Sequence, residues 1–164
     1  MRTISSYPVA ISKFGRRSPG LAGLVVSLLL LVAVSLSPVH AAEIPSDDEQ
    51  DVLIRTTLMT FNDANMTGNY AVLLAKASKQ FQAQYSAEQV FAAFEAFRKN
   101  ELFFEQVVTA DYDSWEKARL DSEGALVLAG VFKTDELQVK YRLRFVQNNK
   151  VWKFLGINVD ASKI

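Results

Sequence analysis

Apolar residues recur every three to four positions through the segment that follows residue 45, a spacing typical of amphipathic helices. Ser46 and Glu49 stand three residues apart in the pattern of a capping box, and Gly68 follows the apolar run. The first helix is therefore predicted from about Asp47 to Met66.

Two further helical patterns follow, and the second of them opens with another capping box, formed by Ser86 and Gln89. These two helices are predicted at about 70–81 and 86–100. From residue 113 onward the apolar period changes to two, which is typical of strands. The predicted strands lie at 113–120, 125–134, 137–145 and 151–159. Three helices followed by an antiparallel meander of about four strands predict an α+β fold, with the helices on one face of the sheet.

The first 41 residues have the three-part composition of a secretory signal peptide. Four basic residues precede an apolar run at 21–36, and Pro38 stands before the small side chains that end at Ala41. Cleavage after Ala41 would leave a signal peptide at 1–41 and one domain at 42–164. The apolar run is shorter than the roughly 20 residues of a membrane-spanning helix, which disfavours the alternative of a retained anchor. The expected location is the periplasm of a bacterium or the medium outside the cell.

Charge and composition narrow the function classes. The leader holds four of the 18 basic residues and none of the 18 acidic ones, so the remaining 123 residues carry 14 basic and 18 acidic side chains, a net charge of −4. Nucleic acid is therefore not an expected partner, since its binding needs a basic surface. The chain has no cysteine, and its one histidine, His40, lies in the leader. Thiol nucleophiles, histidine bases and His/Cys metal sites are thereby excluded from the domain, and we expect neither a metal nor a cofactor.

Three short motifs resemble a known family. They are FNDA at 61–64, TGNY at 67–70 followed by Leu73 and Leu74, and VWKF at 151–154. In these the chain is similar to the nuclear-transport-factor-2-like superfamily, and within it to small exported bacterial members of unassigned function. The resemblance extends over about 44–159 and implies a curved sheet wrapped around the helices as a cone, often with an apolar pocket and often dimeric through the sheet. The family includes both enzymes and binding modules, so it does not define an activity.

Tyr70, Tyr141 and Trp152 are the candidate ligand-binding residues, because each combines a large apolar surface with one hydrogen-bonding group. They are expected to line a pocket between the helices and the concave side of the sheet. The alternative is that these rings belong to the core. The leading hypothesis is a non-catalytic exported domain that binds a small apolar ligand or a protein partner.

An isomerase or cyclase type of enzyme is the alternative hypothesis. Asp63 and Asp113 are the carboxylates that could serve as its base, with Tyr70 and Tyr141 as hydrogen-bond donors to an oxyanion. No catalytic constellation of the family matches the chain position by position. A third hypothesis is a structural or assembly module that acts through its sheet face.

A homodimer through the outer face of the sheet is a further expectation. The strands at 125–132 and 151–159 are apolar on both faces, so that something besides the helices has to cover one face of each. Lys140, Arg142 and Arg144 form a basic row on the strand between them. This row is either an anion-binding or partner-binding surface or the ordinary solvated side of a half-buried strand.

Overall fold

The computed structural model describes residues Glu43–Ile164, and the predicted signal peptide lies outside them. This part of the chain has an α+β fold, as predicted. Its helices are α1 (Asp47–Thr67), α2 (Ala71–Lys76), α3 (Lys79–Gln84), α4 (Ala87–Ala93) and α5 (Glu95–Lys99), followed by a 3₁₀ helix (Glu105–Val108). Its strands are β1 (Tyr112–Ser114), β2 (Arg119–Leu120), β3 (Leu126–Lys133), β4 (Leu137–Asn148) and β5 (Val151–Lys163). No helix within Glu43–Ile164 has the length and apolar content needed to cross a membrane.

The five strands form one antiparallel sheet in the order β1-β3-β4-β5, and β2 pairs with β3 on the same edge as β1. Along β4, buried residues alternate with charged or polar ones because successive side chains point to opposite faces. The buried face of β4 packs against the helices, and all five helices contribute to that core. Strand β5 pairs with β4 and forms the opposite edge of the sheet.

Helix α1 begins and ends close to the predicted residues. The side chain of Ser46 accepts a hydrogen bond from the backbone N–H of Glu49 at 3.3 Å. At the other end Gly68 has φ 69°, a left-handed conformation that glycine adopts without the steric penalty of a Cβ. The predicted C-terminal signal is thus present, and of the predicted capping box the structure has the Ser46 cap but not the return bond to the Glu49 side chain.

Replacing Ser46 by alanine should lower the free energy of unfolding by about 1 kcal/mol, because one backbone donor at the start of α1 loses its acceptor. Denaturant titrations of the two proteins measure the difference. Ser122→Ala, at an exposed turn position, is the control and should have little effect. Equal midpoints for Ser46→Ala and the unmodified protein would contradict the prediction.

The second and third predicted helices are each divided in two, which corrects the expected number of helices. Helices α2 and α3 are separated at Ala77 and Ser78. The Ser78 N–H donates to the carbonyl oxygen of Phe154 on β5 at 2.8 Å, and its hydroxyl accepts from Phe81 N at 3.1 Å. The contact with β5 takes the place of a bond within the helix. Helices α4 and α5 are separated at Phe94, whose ψ of 24° interrupts the regular helix.

The predicted strand at 113–120 is also divided. Strand β1 pairs with the end of β3 and strand β2 with its beginning, and residues 115–118 leave the sheet between them. The sheet therefore has five strands instead of about four. In contrast, the predicted hairpin turn near 147–150 is present, and Asn149 and Lys150 both have positive φ, as a two-residue turn of type I′ requires.

The helices are joined to one another by aromatic packing around Phe61, a fully buried residue of α1. Its ring centroid lies 4.7 Å from that of Phe94, 5.2 Å from Phe97 and 6.1 Å from Phe104. The first two pairs are edge-to-face, the arrangement that the charge distribution of aromatic rings favours. This cluster fixes α1 against the α4–α5 junction and the segment that leads to the sheet.

Arg55 joins α1 to the start of the sheet. Its Nε donates to both carboxylate oxygens of Asp51, at 2.8 and 3.0 Å, and its Nη1 donates to carbonyl oxygens at 107–110. The guanidinium carbon also lies 5.6 Å from the ring centre of Tyr112 and 5.3 Å from that of Phe132. Arg55 thus satisfies backbone acceptors at the end of the 3₁₀ helix and just beyond it.

Arginine side chains cover the outer face of β3. Arg144 stands beside Val127 in the register, and its guanidinium reaches Asp121 at 2.7 Å and Glu123 at 2.6 Å on the far side of β3. The side chain therefore crosses over Val127, which is only 3% exposed. The aliphatic part of an arginine can cover apolar surface while its charged end stays in water.

Arg142 crosses β3 in the same way. It stands beside Ala129 and forms a two-pronged ion pair with Glu116, at 2.8 and 3.2 Å. Two members of the predicted basic row are thus paired with acids of the same chain. The burial of Val127 and Ala129 is achieved within one chain, so the reason for expecting a second copy on this face does not apply to β3.

Candidate functional site

A cavity of about 390 Å³ lies between helices α2–α4 and the middle of β5. We call it the helix–strand cavity. It is lined by Leu73, Phe81, Tyr85, Gln89, Val90, Ala93, Phe94, Leu155, Gly156 and Ile157. It is larger than the cavities that contain Trp152, Asp63 and Asp113, which measure about 260, 280 and 170 Å³. Its volume falls in the range of about 300–1,000 Å³ that is typical of small-molecule sites.

Two capped helix starts hold the helical wall of this cavity. Ser78 caps α3 through Phe81 N, and Ser86 caps α4 in a complete capping box with Gln89. The box was predicted from the sequence and is confirmed. Because α3 and α4 are only six and seven residues long, such caps and tertiary contacts matter more to them than helix propensity does.

Aromatic contacts connect the helical wall to the sheet. The ring centroid of Phe81 lies 4.8 Å from that of Tyr85 and 5.2 Å from that of Phe154 on β5. Phe81 and Tyr85 both line the cavity, so these contacts join its helical wall to β5. Phe94, a further lining residue, rests on Phe61 of the core, so the wall continues into the aromatic cluster around α1.

The strand wall of the cavity contains a β-bulge. Arg144 pairs with Gly156 and Phe145 pairs with Phe154, which leaves Leu155 without a partner on β4. Such an extra residue bends the strand locally and changes the direction in which its side chains point. The three β5 residues that line the cavity, 155–157, include this bulge.

The chemistry of the lining is almost entirely apolar. The Tyr85 hydroxyl and the Gln89 amide are its two polar side-chain groups, and no charged residue lines it. The Gln89 carbonyl oxygen already accepts from Ser86 N at 2.8 Å. The cavity can therefore surround an apolar body and orient it through Tyr85, but its lining offers neither a carboxylate nor an amine for acid–base chemistry.

Tyr70, a predicted ligand-binding residue, lies elsewhere and is buried. Its hydroxyl donates to Asn65 Oδ1 at 2.6 Å and accepts from Arg98 Nη1 at 2.8 Å. Burial raises the pKa of Tyr70, while the charge of Arg98 acts in the opposite direction. Both hydrogen-bonding capacities of the hydroxyl are used between α1 and α5, which is the environment of a structural residue.

Tyr141 faces the core and is 1% exposed. Its hydroxyl forms no hydrogen bond of good geometry in the described part of the chain and lies close to the backbone of Gly130. Burial raises its pKa, while the nearby Ser114 side chain acts to lower it. The rings of Tyr112 and Phe132 pack around it, with centroids 6.0 and 5.6 Å away. Trp152, the third predicted residue, is half-buried and lines the separate cavity of about 260 Å³. The structure does not bring the three predicted side chains into one cavity.

The two candidate catalytic carboxylates are exposed to solvent. Asp63 lies on the outside of α1, in a depression that contains no tyrosine. The side chain of Asp113 is 82% exposed, and its carboxylate lies 4.0 Å from Lys133 Nζ. Neither residue has the enclosed setting next to a tyrosine hydroxyl that the enzyme hypothesis requires.

Replacing Tyr141 by phenylalanine should raise the free energy of unfolding at pH 7 by about 1 kcal/mol, since it removes a buried polar group without a partner and keeps the ring. Burial raises the pKa of Tyr141 above its ordinary value of about 10, so the unfolded chain releases this proton at a lower pH than the folded chain. Stability therefore falls as the pH rises beyond about 10, and the fall should be smaller in the variant.

Urea titrations at pH 7 and above pH 10 measure both effects. Burial also raises the pKa of Tyr70 and of Tyr112, so part of the alkaline loss should remain in Tyr141→Phe. Tyr85→Phe, at an exposed hydroxyl, is the control and should be neutral at pH 7. A large loss of stability in Tyr141→Phe would mean that the hydroxyl has a partner.

Phe81, Val90 and Phe94 lie in the apolar patterns of the two predicted helices at 70–81 and 86–100, and in the structure they belong to the core or pack against it while also lining the cavity. The strand residues 155–157 were missed as cavity residues because a bulge has no reliable signal in a single sequence. Among the described residues no group of three or more His, Cys, Asp or Glu side chains could hold a metal ion. The chain matches no protein-family model, no curated protein and no solved structure.

Proposed function

We propose that the domain is a non-catalytic binding module that takes a small apolar ligand into the helix–strand cavity. The observation that carries this proposal is the combination of a volume of about 390 Å³ with a lining that has no charged residue. Few polar groups and many apolar ones are the usual composition of a ligand site. The Tyr85 hydroxyl, at the exposed edge of the cavity, is the group that would orient the ligand.

The proposal includes the family and the location. A cone-shaped member of the nuclear-transport-factor-2-like superfamily would hold its ligand between helices and sheet, which is where the helix–strand cavity lies. Export through a cleaved leader at 1–41 would place the domain in the periplasm or outside the cell. Pairing of two copies through the sheet stays a prediction. Sedimentation at increasing protein concentration measures the oligomeric state that tests it.

Filling the cavity is the most direct test. Ala93 lines it and is exposed, so that Ala93→Trp should place an indole in the cavity without disturbing the core. Ala92→Trp is the matched control, because Ala92 is exposed on the same helix and does not line the cavity. The probe is N-phenyl-1-naphthylamine, an uncharged aromatic dye whose fluorescence rises in apolar surroundings.

We expect the unmodified protein and Ala92→Trp to bind the dye with equal affinity. Ala93→Trp should bind it at least about tenfold more weakly, a loss of about 1.4 kcal/mol in binding free energy. Since no charged group lines the cavity, affinity should be the same at pH 6 and pH 8. Equal affinities for the two tryptophan variants would show that the dye binds elsewhere. Failure of the unmodified protein to bind any apolar probe would contradict the proposed function.

A further inference from the structure

A second cavity, of about 260 Å³, lies on the other side of the α2–α3 junction and combines positive charge with aromatic surface. We call it the lysine–tryptophan cavity. It is lined by Leu53, Thr56, Thr57, Lys76, Phe145, Trp152, Lys153 and Phe154. It lies between α1, the end of α2 and the β4–β5 hairpin, and the hydrogen bond from Ser78 N to Phe154 O marks its border.

The charge of this cavity is entirely positive. Lys76 and Lys153 line it, and no acidic residue does. Neither lysine forms an ion pair with any residue within 43–164. The Lys76 ammonium donates one hydrogen bond, to Thr60 Oγ1 at 2.9 Å, which leaves two of its three N–H groups for another acceptor. Two unneutralised lysines at one cavity in a domain with an excess of acids favour an anionic occupant.

A hydroxyl group adds to this donor set. Thr57 is 8% exposed, and its hydroxyl forms no hydrogen bond within the described residues. The neighbouring Thr56 hydroxyl is already used, because it donates to the carbonyl oxygen of Val52 at 2.6 Å. Thr57 can therefore donate its hydrogen to an acceptor in the cavity that it lines together with the two lysines.

The remaining lining is apolar and mostly aromatic. The rings of Phe145, Phe154 and Trp152 come from β4 and β5, and the Leu53 side chain comes from α1. A bare inorganic ion would leave this surface without a contact, whereas an organic body would cover it. The volume is below the range of about 300–1,000 Å³ for drug-sized ligands, so the fitting molecule is smaller than those.

We propose that the lysine–tryptophan cavity is a binding site for small organic anions, in which a carboxylate meets Lys76 and an aromatic or short aliphatic body rests on Trp152. Lys153, whose side chain leaves the other face of β5, adds positive charge at the rim of the cavity. This site is distinct from the helix–strand cavity and independent of the ligand proposed there. Benzoate is the probe, and benzyl alcohol, which has the same ring without the charge, is the comparison compound.

Trp152 provides a local signal. The chain has two tryptophans, so Trp152 is the sole source of tryptophan fluorescence in a Trp115→Phe background. We expect benzoate to change this fluorescence in a saturable way, and benzyl alcohol to bind about tenfold more weakly, as the loss of a charge-assisted hydrogen bond implies. Added sodium chloride should weaken benzoate binding more than benzyl alcohol binding.

Removing the lysine charges distinguishes a specific binding site from general electrostatic attraction to the protein. In the same background, Lys76→Met with Lys153→Met should weaken benzoate binding by about tenfold or more. Lys117→Met with Lys140→Met removes the same two charges at exposed positions outside the cavity and should leave the affinity unchanged. Equal losses in both double variants, or equal affinities for benzoate and benzyl alcohol, would overturn the proposal.

One further measurement distinguishes the two proposed sites from each other. Ala93→Trp, which fills the helix–strand cavity, should leave benzoate binding unchanged in calorimetry, a method that does not depend on tryptophan emission. Loss of benzoate binding in Ala93→Trp would assign the anion to the helix–strand cavity and contradict a site at Lys76 and Lys153.

Discussion

Replacing Phe61 by alanine is expected to lower the free energy of unfolding by about 4 kcal/mol, the usual cost of removing a buried aromatic ring. Phe61 is fully buried, and its ring contacts those of Phe94, Phe97 and Phe104, so the substitution opens a void where α1 meets three other segments. Since the free energy of unfolding of a typical domain is about 5–15 kcal/mol, the variant would lose a large part of its stability.

Phe91→Ala is the control for Phe61→Ala. Phe91 is 43% exposed and contacts Tyr70 and the Arg98 guanidinium at the surface, so it should cost much less. Thermal and denaturant unfolding of the two variants measure the difference. Similar losses for both would mean that the aromatic cluster is not the main connection between α1 and the later helices.

The Phe61 cluster also links stability to the proposed site. Phe94 packs edge-to-face on Phe61 and also lines the helix–strand cavity. A void beneath Phe94 would let this wall of the cavity move, so the dye should bind Phe61→Ala more weakly even at temperatures where the variant is folded. Phe91 is not among the lining residues, so Phe91→Ala should bind the dye normally.

Local signals in the sequence predicted the parts of the fold that local physics controls. Ser46 and Gly68 mark the ends of α1 because a cap and a left-handed residue act within one helical turn. The alternation along β4 predicted its buried and solvated faces, since the pleat of a strand does not depend on its neighbours. The hairpin at Asn149 and Lys150 follows from the same local conformational preferences.

Other features depend on tertiary contacts and were missed. The division between α2 and α3 rests on the hydrogen bond from Ser78 to Phe154, whose partner lies 76 positions later in the chain. The pattern at 70–81 contains no glycine or proline that would indicate a break. A second copy was expected on the outer face of β3 because this strand is apolar on both faces. Arginine side chains that cross from β4 cover this face, and such a contact can be seen only in three dimensions.

The candidate site was predicted only in its general position, between helices and sheet. Tyr70, Tyr141 and Trp152 were chosen for their amphipathic side chains, but a residue type does not determine whether its ring faces a cavity or the core. Tyr70 is held by Arg98, Tyr141 is enclosed by other rings, and Trp152 lies beside a different cavity. A cavity is the space that side-chain packing leaves unfilled, and the sequence alone does not show where that space lies.

Replacing Gly130 by alanine is expected to lower the free energy of unfolding by about 3 kcal/mol, at the upper end of the usual cost of overpacking a core. A Cβ at this position would lie 2.5 Å from the Tyr141 hydroxyl oxygen and 2.7 Å from the backbone oxygen of Asp113. The Tyr141 ring is confined by its neighbours, and the Asp113 oxygen belongs to β1, which pairs with β3 at this point. Neither atom can move without disturbing the sheet.

Gly156→Ala is the matched control, because Gly156 also lies in a strand of this sheet and an added Cβ would approach no atom closer than 3.8 Å. It should be close to neutral in the same denaturant titrations. Tyr141→Phe should recover part of the loss in Gly130→Ala, by about 1 kcal/mol beyond its own effect, since it removes the nearest of the three obstructing atoms. The contacts with the Asp113 oxygen and with the ring carbon Cζ of residue 141, at 2.7 and 2.9 Å, remain, so the rescue is incomplete. Full additivity of Gly130→Ala and Tyr141→Phe would show that the tyrosine hydroxyl does not lie over Gly130.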